Sequence, residues 1–92
     1  MDELLTEYQY YLISEKMKSE NTVKSYTSDL ANYLYYLQEK LSINNPQDIT
    51  TDEIKRYLTY LKKLGYSATS SSRALSAIKS FINFYFLKEE LP

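Results

Sequence analysis

Residues 65–87, GYSATSSSRALSAIKSFINFYFL, decide the fold. Ser67 can cap a helix with its hydroxyl, and after it apolar residues recur at intervals of three and four up to Leu87. This spacing predicts a long amphipathic helix that buries one face. The residues expected on the buried face are Leu75, Ile78, Phe81, Ile82 and Tyr85.

Three further helices are predicted before this one, over about Glu3–Met17, about Asn21–Leu41, and from Thr50 to Leu64. Thr50 followed by Glu53 three residues later is the pattern of a capping box, and Gly65 suits the left-handed residue that follows a helix. No segment alternates polar and apolar residues as a strand would, so the predicted fold class is all-α, with four helices.

Composition excludes most kinds of enzyme. The 92 residues suffice for one domain, and they include no cysteine, no histidine and one glycine. Disulfides, thiolate metal sites, histidine bases and glycine-rich phosphate loops are therefore excluded. We expect no cofactor, no metal and no small-molecule substrate. No apolar run approaches the ~20 residues of a membrane span, and the acidic N-terminus lacks a signal-peptide pattern, so no membrane partner and a cytoplasmic location are expected.

Charge is unevenly distributed along the chain. The net charge is −1, which alone argues weakly against nucleic acid. However, residues 54–88 contain no Asp or Glu. Because the acidic and basic residues lie in different parts of the chain, we expect one side of the folded domain to be positive although the net charge is close to zero. The cations of this stretch are Lys55, Arg56, Lys62, Lys63, Arg73, Lys79 and Lys88.

The polar face of the last predicted helix combines cations with small hydrogen-bonding residues. Ser and Thr are poor residues for a helix interior, yet this face contains several of them and no carboxylate. Small side chains let a partner approach the backbone, and hydroxyls with cations suit phosphate oxygens and base edges. The residues at this spacing are Thr69, Ser72, Arg73, Ser76, Lys79, Ser80 and Asn83.

The start of the second predicted helix carries a weaker version of the same pattern, because Glu20 and Asp29 interrupt it. Cations and hydroxyls are concentrated just before it and in its first turns. They are Lys16, Lys18, Ser19, Asn21, Thr22, Lys24, Ser25 and Ser28.

Each of these signals has an ordinary alternative. A Ser- and Thr-rich helix start is commonly plain capping. Arg73 is either a contact for DNA or the intramolecular partner of a carboxylate such as Asp29, and Lys79 is either a contact or a solvated lysine. A helical protein–protein interaction module is the alternative function, and its exposed anchors would be Tyr10, Tyr35, Tyr36 and Tyr60.

Two stretches, supported by a third, resemble one family. Residues 65–81 are similar to the last helix of the core-binding domain of Xer-type tyrosine recombinases of the phage integrase family. Residues 19–30, SENTVKSYTSDL, resemble that family's S-x-N-T-x-x-x-Y-x-x-D-L element. Residues 49–58 match the element before its third helix, so the resemblance covers nearly the whole chain.

The resemblance implies an orthogonal, SAM-like four-helix bundle that forms one jaw of a clamp around the recombination site. Its partners would be double-stranded DNA and other recombinase protomers in a tetramer, at the nucleoid. It implies that residues 1–88 are the DNA-binding domain and 89–92 the start of a linker. The catalytic domain is expected to be absent from this chain, and none of the 11 tyrosines is expected to be the nucleophile. The implied contact residues are Lys18, Ser19, Thr22, Lys24, Ser25, Ser28, Thr69, Ser72, Arg73, Ser76 and Lys79.

Overall fold

The computed structural model describes residues 2–90. Within this range every regular element is helical, so the predicted all-α class is confirmed. Four α-helices and one short 3₁₀ helix follow each other along the chain. They are α1 (Asp2–Ser14), α2 (Glu20–Leu41), the 3₁₀ helix (Pro46–Asp48), α3 (Thr51–Lys63) and α4 (Ala68–Glu90).

Serine hydroxyls cap the two longest helices. Ser19 accepts a hydrogen bond from the backbone N–H of Thr22 at 3.2 Å, at the start of α2. Ser67 accepts one from the N–H of Ser70 at 3.1 Å, at the start of α4. Helix α2 therefore begins at Glu20, one residue earlier than expected.

Helix α3 begins and ends as its sequence predicts. At its start, the carboxylate of Glu53 accepts a hydrogen bond from the backbone N–H of Thr50 at 2.8 Å, as in a capping box. At its end, Gly65 adopts a φ of +92°, and the N–H of Tyr66 reaches back to the carbonyl of Leu61 at 3.0 Å. The left-handed residue turns the chain toward α4 while the last carbonyls of α3 keep hydrogen-bond partners.

Helix α1 ends three residues before the predicted Met17. Met17 itself has a φ of +50°, and the N–H of Lys18 donates to the carbonyl of Leu12 at 3.0 Å. Since a left-handed residue cannot continue a right-handed helix, the chain reverses here toward α2.

Helix α4 extends further than its sequence predicts. It continues to Glu90, past the expected end near Leu87 and into the predicted linker. Positions 91 and 92 lie outside the described residues. The proposed boundary between domain and linker stays a prediction.

The core forms where α4 packs chiefly against α2, with α1 and α3 at its sides. Aromatic rings fill its centre: Tyr8 of α1 meets Phe81 of α4 edge-on, with ring centroids 5.6 Å apart. Tyr33 of α2 meets Tyr57 of α3 in the same way at 4.9 Å. The other most deeply buried side chains are Leu12, Leu30, Leu37, Leu61, Ala77 and Ile78.

The buried face of α4 is shifted from the predicted one. Leu75 is only half-buried, whereas Ala74, Ala77 and Phe84 are buried. Alanines allow α4 to approach its neighbours closely, and their small size is why apolar periodicity alone underrates them. In α1, the apolar side chain of Ile13 lies outside the core and is 51% exposed.

Candidate nucleic-acid interface

The predicted polar face of α4 lies on the surface of the molecule. Thr69, Ser72, Arg73, Ser76 and Lys79 are all exposed, so they do not serve as packing residues between helices. The acids of α4 are confined to its last two residues, at the far end from this face. Helix α4 therefore presents about three turns of hydroxyls and cations without an acidic residue of its own.

Arg73 is held by a carboxylate from the neighbouring helix. Its Nε donates to Asp29 Oδ2 at 2.7 Å and its Nη2 donates to Asp29 Oδ1 at 3.1 Å. Asp29, on α2, is only 7% exposed, and the hydrogen bonds that its carboxylate accepts from Arg73 raise the pKa of Arg73. Of the two interpretations of Arg73, the structure thus contains the intramolecular pair with a carboxylate. The pair ties α2 to α4.

The Arg73 side chain nevertheless reaches solvent in part. It is 46% exposed, and the bonds to Asp29 use two of the five N–H donors of a guanidinium. The pairing therefore fixes the orientation of the group and leaves three of its donors unused by Asp29. A role in contacting DNA stays a prediction for this residue.

The predicted residues at the start of α2 divide into exposed and partly covered groups. Lys18, Ser19, Lys24 and Ser28 are exposed, whereas Thr22 and Ser25 are half-buried. The hydroxyls of Ser19 and Thr22 are hydrogen-bonded to each other at 2.9 Å. Lys24 lies 3.4 Å from the carboxylate of Glu20, so its charge is partly offset.

A groove brings the two predicted patches together. Its volume is about 240 Å³, and it lies between the turn after α1, the first turns of α2 and the middle of α4. Lys18 and Ser76 were predicted as contacts from separate segments, and both line it. The full lining is Tyr11, Lys16, Lys18, Tyr26, Ser76, Ser80 and Asn83.

Several groove residues were not among the predicted contacts. Ser80 and Asn83 share the polar face of α4 by spacing, and Lys16 precedes α2, so a signal for all three was present in the sequence. Tyr26 of α2 is half-buried and contributes to the groove wall.

The cations of residues 54–88 do not form the single group that their sequence predicts. Lys55, Arg56 and Lys63 line a separate, open depression of about 610 Å³ on α3, which also includes Asp52. Lys88 of α4 is paired with Glu7 of α1 at 2.7 Å. The cations of this stretch are thus divided between α3 and α4, and the cations that line the groove, Lys16 and Lys18, come from outside it.

None of the helices described over residues 2–90 is both long and apolar enough to cross a bilayer.

Comparisons with known proteins give one consistent result. The model of the family described as phage integrase, N-terminal SAM-like domain, matches residues 5–90. Tyrosine recombinase XerD of Oceanobacillus iheyensis is 31% identical over 87 residues, which are 95% of this chain and 29% of that protein. A protein of Caldanaerobacter subterraneus subsp. tengcongensis, also named as a tyrosine recombinase, is 33% identical over 90 residues, 98% of this chain and 30% of that protein. The chain thus spans under a third of the length of these relatives. No solved structure gives a significant match.

Proposed function

This chain belongs to the phage integrase N-terminal SAM-like domain family, and from that premise we propose that it is a domain that binds double-stranded DNA. The observation that carries the proposal is the exposed face of α4, where Thr69, Ser72, Ser76 and Lys79 reach solvent without an acidic neighbour on the same helix face. Phosphate contacts position a protein on a duplex, and hydroxyls, amides and cations are the groups that make them.

The pairing of Arg73 with Asp29 supports a phosphate contact through the outer edge of the guanidinium. Two N–H groups are committed to Asp29, three further donors are not used by this pair, and the side chain is 46% exposed. An arginine whose orientation is already fixed loses less conformational freedom when it binds an anion. We infer that Arg73 contacts the DNA backbone as an oriented donor.

In the whole protein, the domain would hold the recombination site while a separate catalytic domain cleaves and rejoins the strands. The relatives are named as tyrosine recombinases, which is the basis for this part of the proposal. The assembly would be a tetramer on paired sites, located in the cytoplasm at the nucleoid. The domain itself would perform no chemistry.

A charge-insertion experiment tests the proposal. Ser72→Glu places a carboxylate in the middle of the α4 face, and Thr59→Glu places one at an exposed hydroxyl position on α3. The two variants have the same net charge, so a difference between them reports position. Binding to a fluorescent duplex is measured by anisotropy at several salt concentrations.

We expect Ser72→Glu to weaken binding by about tenfold or more, because a carboxylate opposed to phosphate costs more than ~1.4 kcal/mol. Thr59→Glu should change the affinity for the duplex by less than about threefold. For the unmodified chain, the log–log salt slope should be about −0.9 for each phosphate contact. Equal losses in both variants, or a duplex affinity that salt does not change, would contradict the proposal.

A protein–protein interaction module is the second candidate, and exposed aromatic residues favour it. Tyr10 and Tyr35 are each 66% exposed. Tyr36 and Tyr60, also expected on the surface, are instead half-buried and pack together with ring centroids 5.0 Å apart. A tyrosine-anchored interface would respond weakly to salt, so the salt series distinguishes the two candidates.

A further inference from the structure

The groove between the turn after α1 and the middle of α4 is a concave part of the polar surface that, among the described residues, has no carboxylate in its lining. Lys16 and Lys18 line it from the turn after α1, and Ser76, Ser80 and Asn83 line it from α4. Donor groups thus converge from two separate parts of the chain, as they do in a site that surrounds its ligand.

The local backbone holds the two lysines in place. The left-handed Met17 separates them, and the hydrogen bond from the N–H of Lys18 to the carbonyl of Leu12 fixes the turn. The Nζ of Lys16 lies 5.8 Å from the centroid of the Tyr11 ring, which forms another part of the lining. A cation over a ring face is held in position without losing its hydrogen-bond donors.

The groove has no acidic lining. Within residues 2–90 its walls comprise lysine, tyrosine, serine and asparagine side chains, with no carboxylate among them. The nearest acid along the helix that follows, Glu20, is engaged with Lys24. A cavity with cations, hydroxyls and an amide, and with no internal carboxylate to neutralise the cations, is complementary to an oxyanion.

We propose that this groove is a binding site for a single phosphate group. The inference rests on the proposed function in one respect, namely that the phosphate would belong to the backbone of the bound duplex. This site adds Lys16, Ser80 and Asn83 to the predicted DNA contacts. In the groove, residues from α1, α2 and α4 and from the turn after α1 would contact one strand together.

The test has two arms that separate free phosphate from DNA. In the first arm, inorganic phosphate is titrated into the isotope-labelled 92-residue chain, with sodium chloride at matched ionic strength as the reference. The backbone and side-chain amide signals of Lys18, Ser80 and Asn83 should shift with phosphate, and the shifts should be lost in Lys16→Gln. Shifts that chloride reproduces, or that Lys16→Gln leaves unchanged, would overturn the site.

In the second arm, duplex binding is measured against salt for Lys16→Gln and for Lys62→Gln, an exposed α3 lysine outside the groove. Lys16→Gln should lower the magnitude of the log–log slope by about one and weaken all duplex sequences alike. Lys62→Gln, matched in charge, should leave the slope within about 0.3 of the parent value. Melting temperatures of both variants verify that the fold is retained.

The outcomes of the two arms separate the groove from the proposed function. If the parent chain binds duplex with a steep salt dependence but the two variants behave alike, the groove assignment is wrong and the DNA-binding proposal stands. If the parent binds no duplex while phosphate still shifts the groove signals, the site takes phosphate from another source and the DNA-binding proposal fails.

Discussion

Replacing Arg73 with methionine should destabilise the fold, because it leaves the buried carboxylate of Asp29 without a partner. Breaking a fully buried ion pair by removing one member costs about 3–5 kcal/mol. The Arg73 side chain is 46% exposed, so water can reach part of the site and solvent screening lowers this figure. We therefore expect Arg73→Met to reduce the free energy of unfolding by about 2–3 kcal/mol, or to lower the melting temperature by about 10–20 °C.

Asp29→Asn should cost less, about 1–2 kcal/mol, because the arginine left behind can turn toward solvent while the new amide still accepts one hydrogen bond. The double variant should be more stable than the sum of the two losses predicts, since neither unpaired charge remains. A coupling free energy of about 1–3 kcal/mol is expected for residues in direct contact. The asymmetry between the single variants follows from the burial of Asp29 at 7% exposure.

The free energy of unfolding is measured with urea and circular dichroism for the unmodified chain, the two single variants and the double variant, which together form a double-mutant cycle. Lys79→Met is the matched control, because it removes an exposed cation from the same helix and should change the unfolding free energy by less than about 0.5 kcal/mol. If Arg73→Met is as stable as the Lys79→Met control, or if the coupling is zero within error, the account of the Arg73–Asp29 pair is refuted.

Three further outcomes follow from local features. Burial raises the pKa of Tyr8 to about 12 from 10.0. Its neutral form is therefore favoured in the folded state, and the stability it contributes should be present below pH 10 and fall between about pH 10 and 12. The free energy of unfolding, measured with urea, should therefore fall less over this pH range in Tyr8→Phe than in the unmodified chain. Hydrogen bonds from the hydroxyl and the backbone N–H of Thr50 lower the pKa of Glu53. Its contribution should thus be present above about pH 4.5 and be lost as acid protonates the folded state, and Glu53→Gln should lack this part of the acid dependence in melting experiments. Gly65→Ala should destabilise the domain by about 1 kcal/mol in urea unfolding, because φ is +92° while no atom lies within 4 Å of the added methyl group. An unchanged midpoint would indicate that the turn relaxes to another conformation.

The features that the sequence predicts well are local ones. Ser67 as a helix cap and Gly65 as a left-handed terminus depend on hydrogen bonds within a few residues, so the residue types alone indicate them. The exposure of Thr69, Ser72 and Ser76 follows in the same way, because helical spacing determines which residues share a face.

The features that the sequence does not determine depend on contacts between distant segments. Arg73 and Asp29 are 44 positions apart, and their pairing was only one of two open interpretations. Residues 15–17, Glu-Lys-Met, are good helix formers, yet α1 ends before them, because the chain must reverse for α2 to pack against α1. The groove exists only once that reversal brings Lys16 and Lys18 to α4.

The most direct test of the central claim is to map the surface that a duplex touches. Amide chemical shifts of the labelled chain are followed as duplex DNA is added, with no variant involved. We expect the largest changes on α4 at Thr69, Ser72 and Ser76 and at the start of α2 from Lys18 to Ser28. Changes concentrated around Lys55 and Lys63 of α3, with α4 unaffected, would show that the acid-free face of α4 is not the surface that binds DNA.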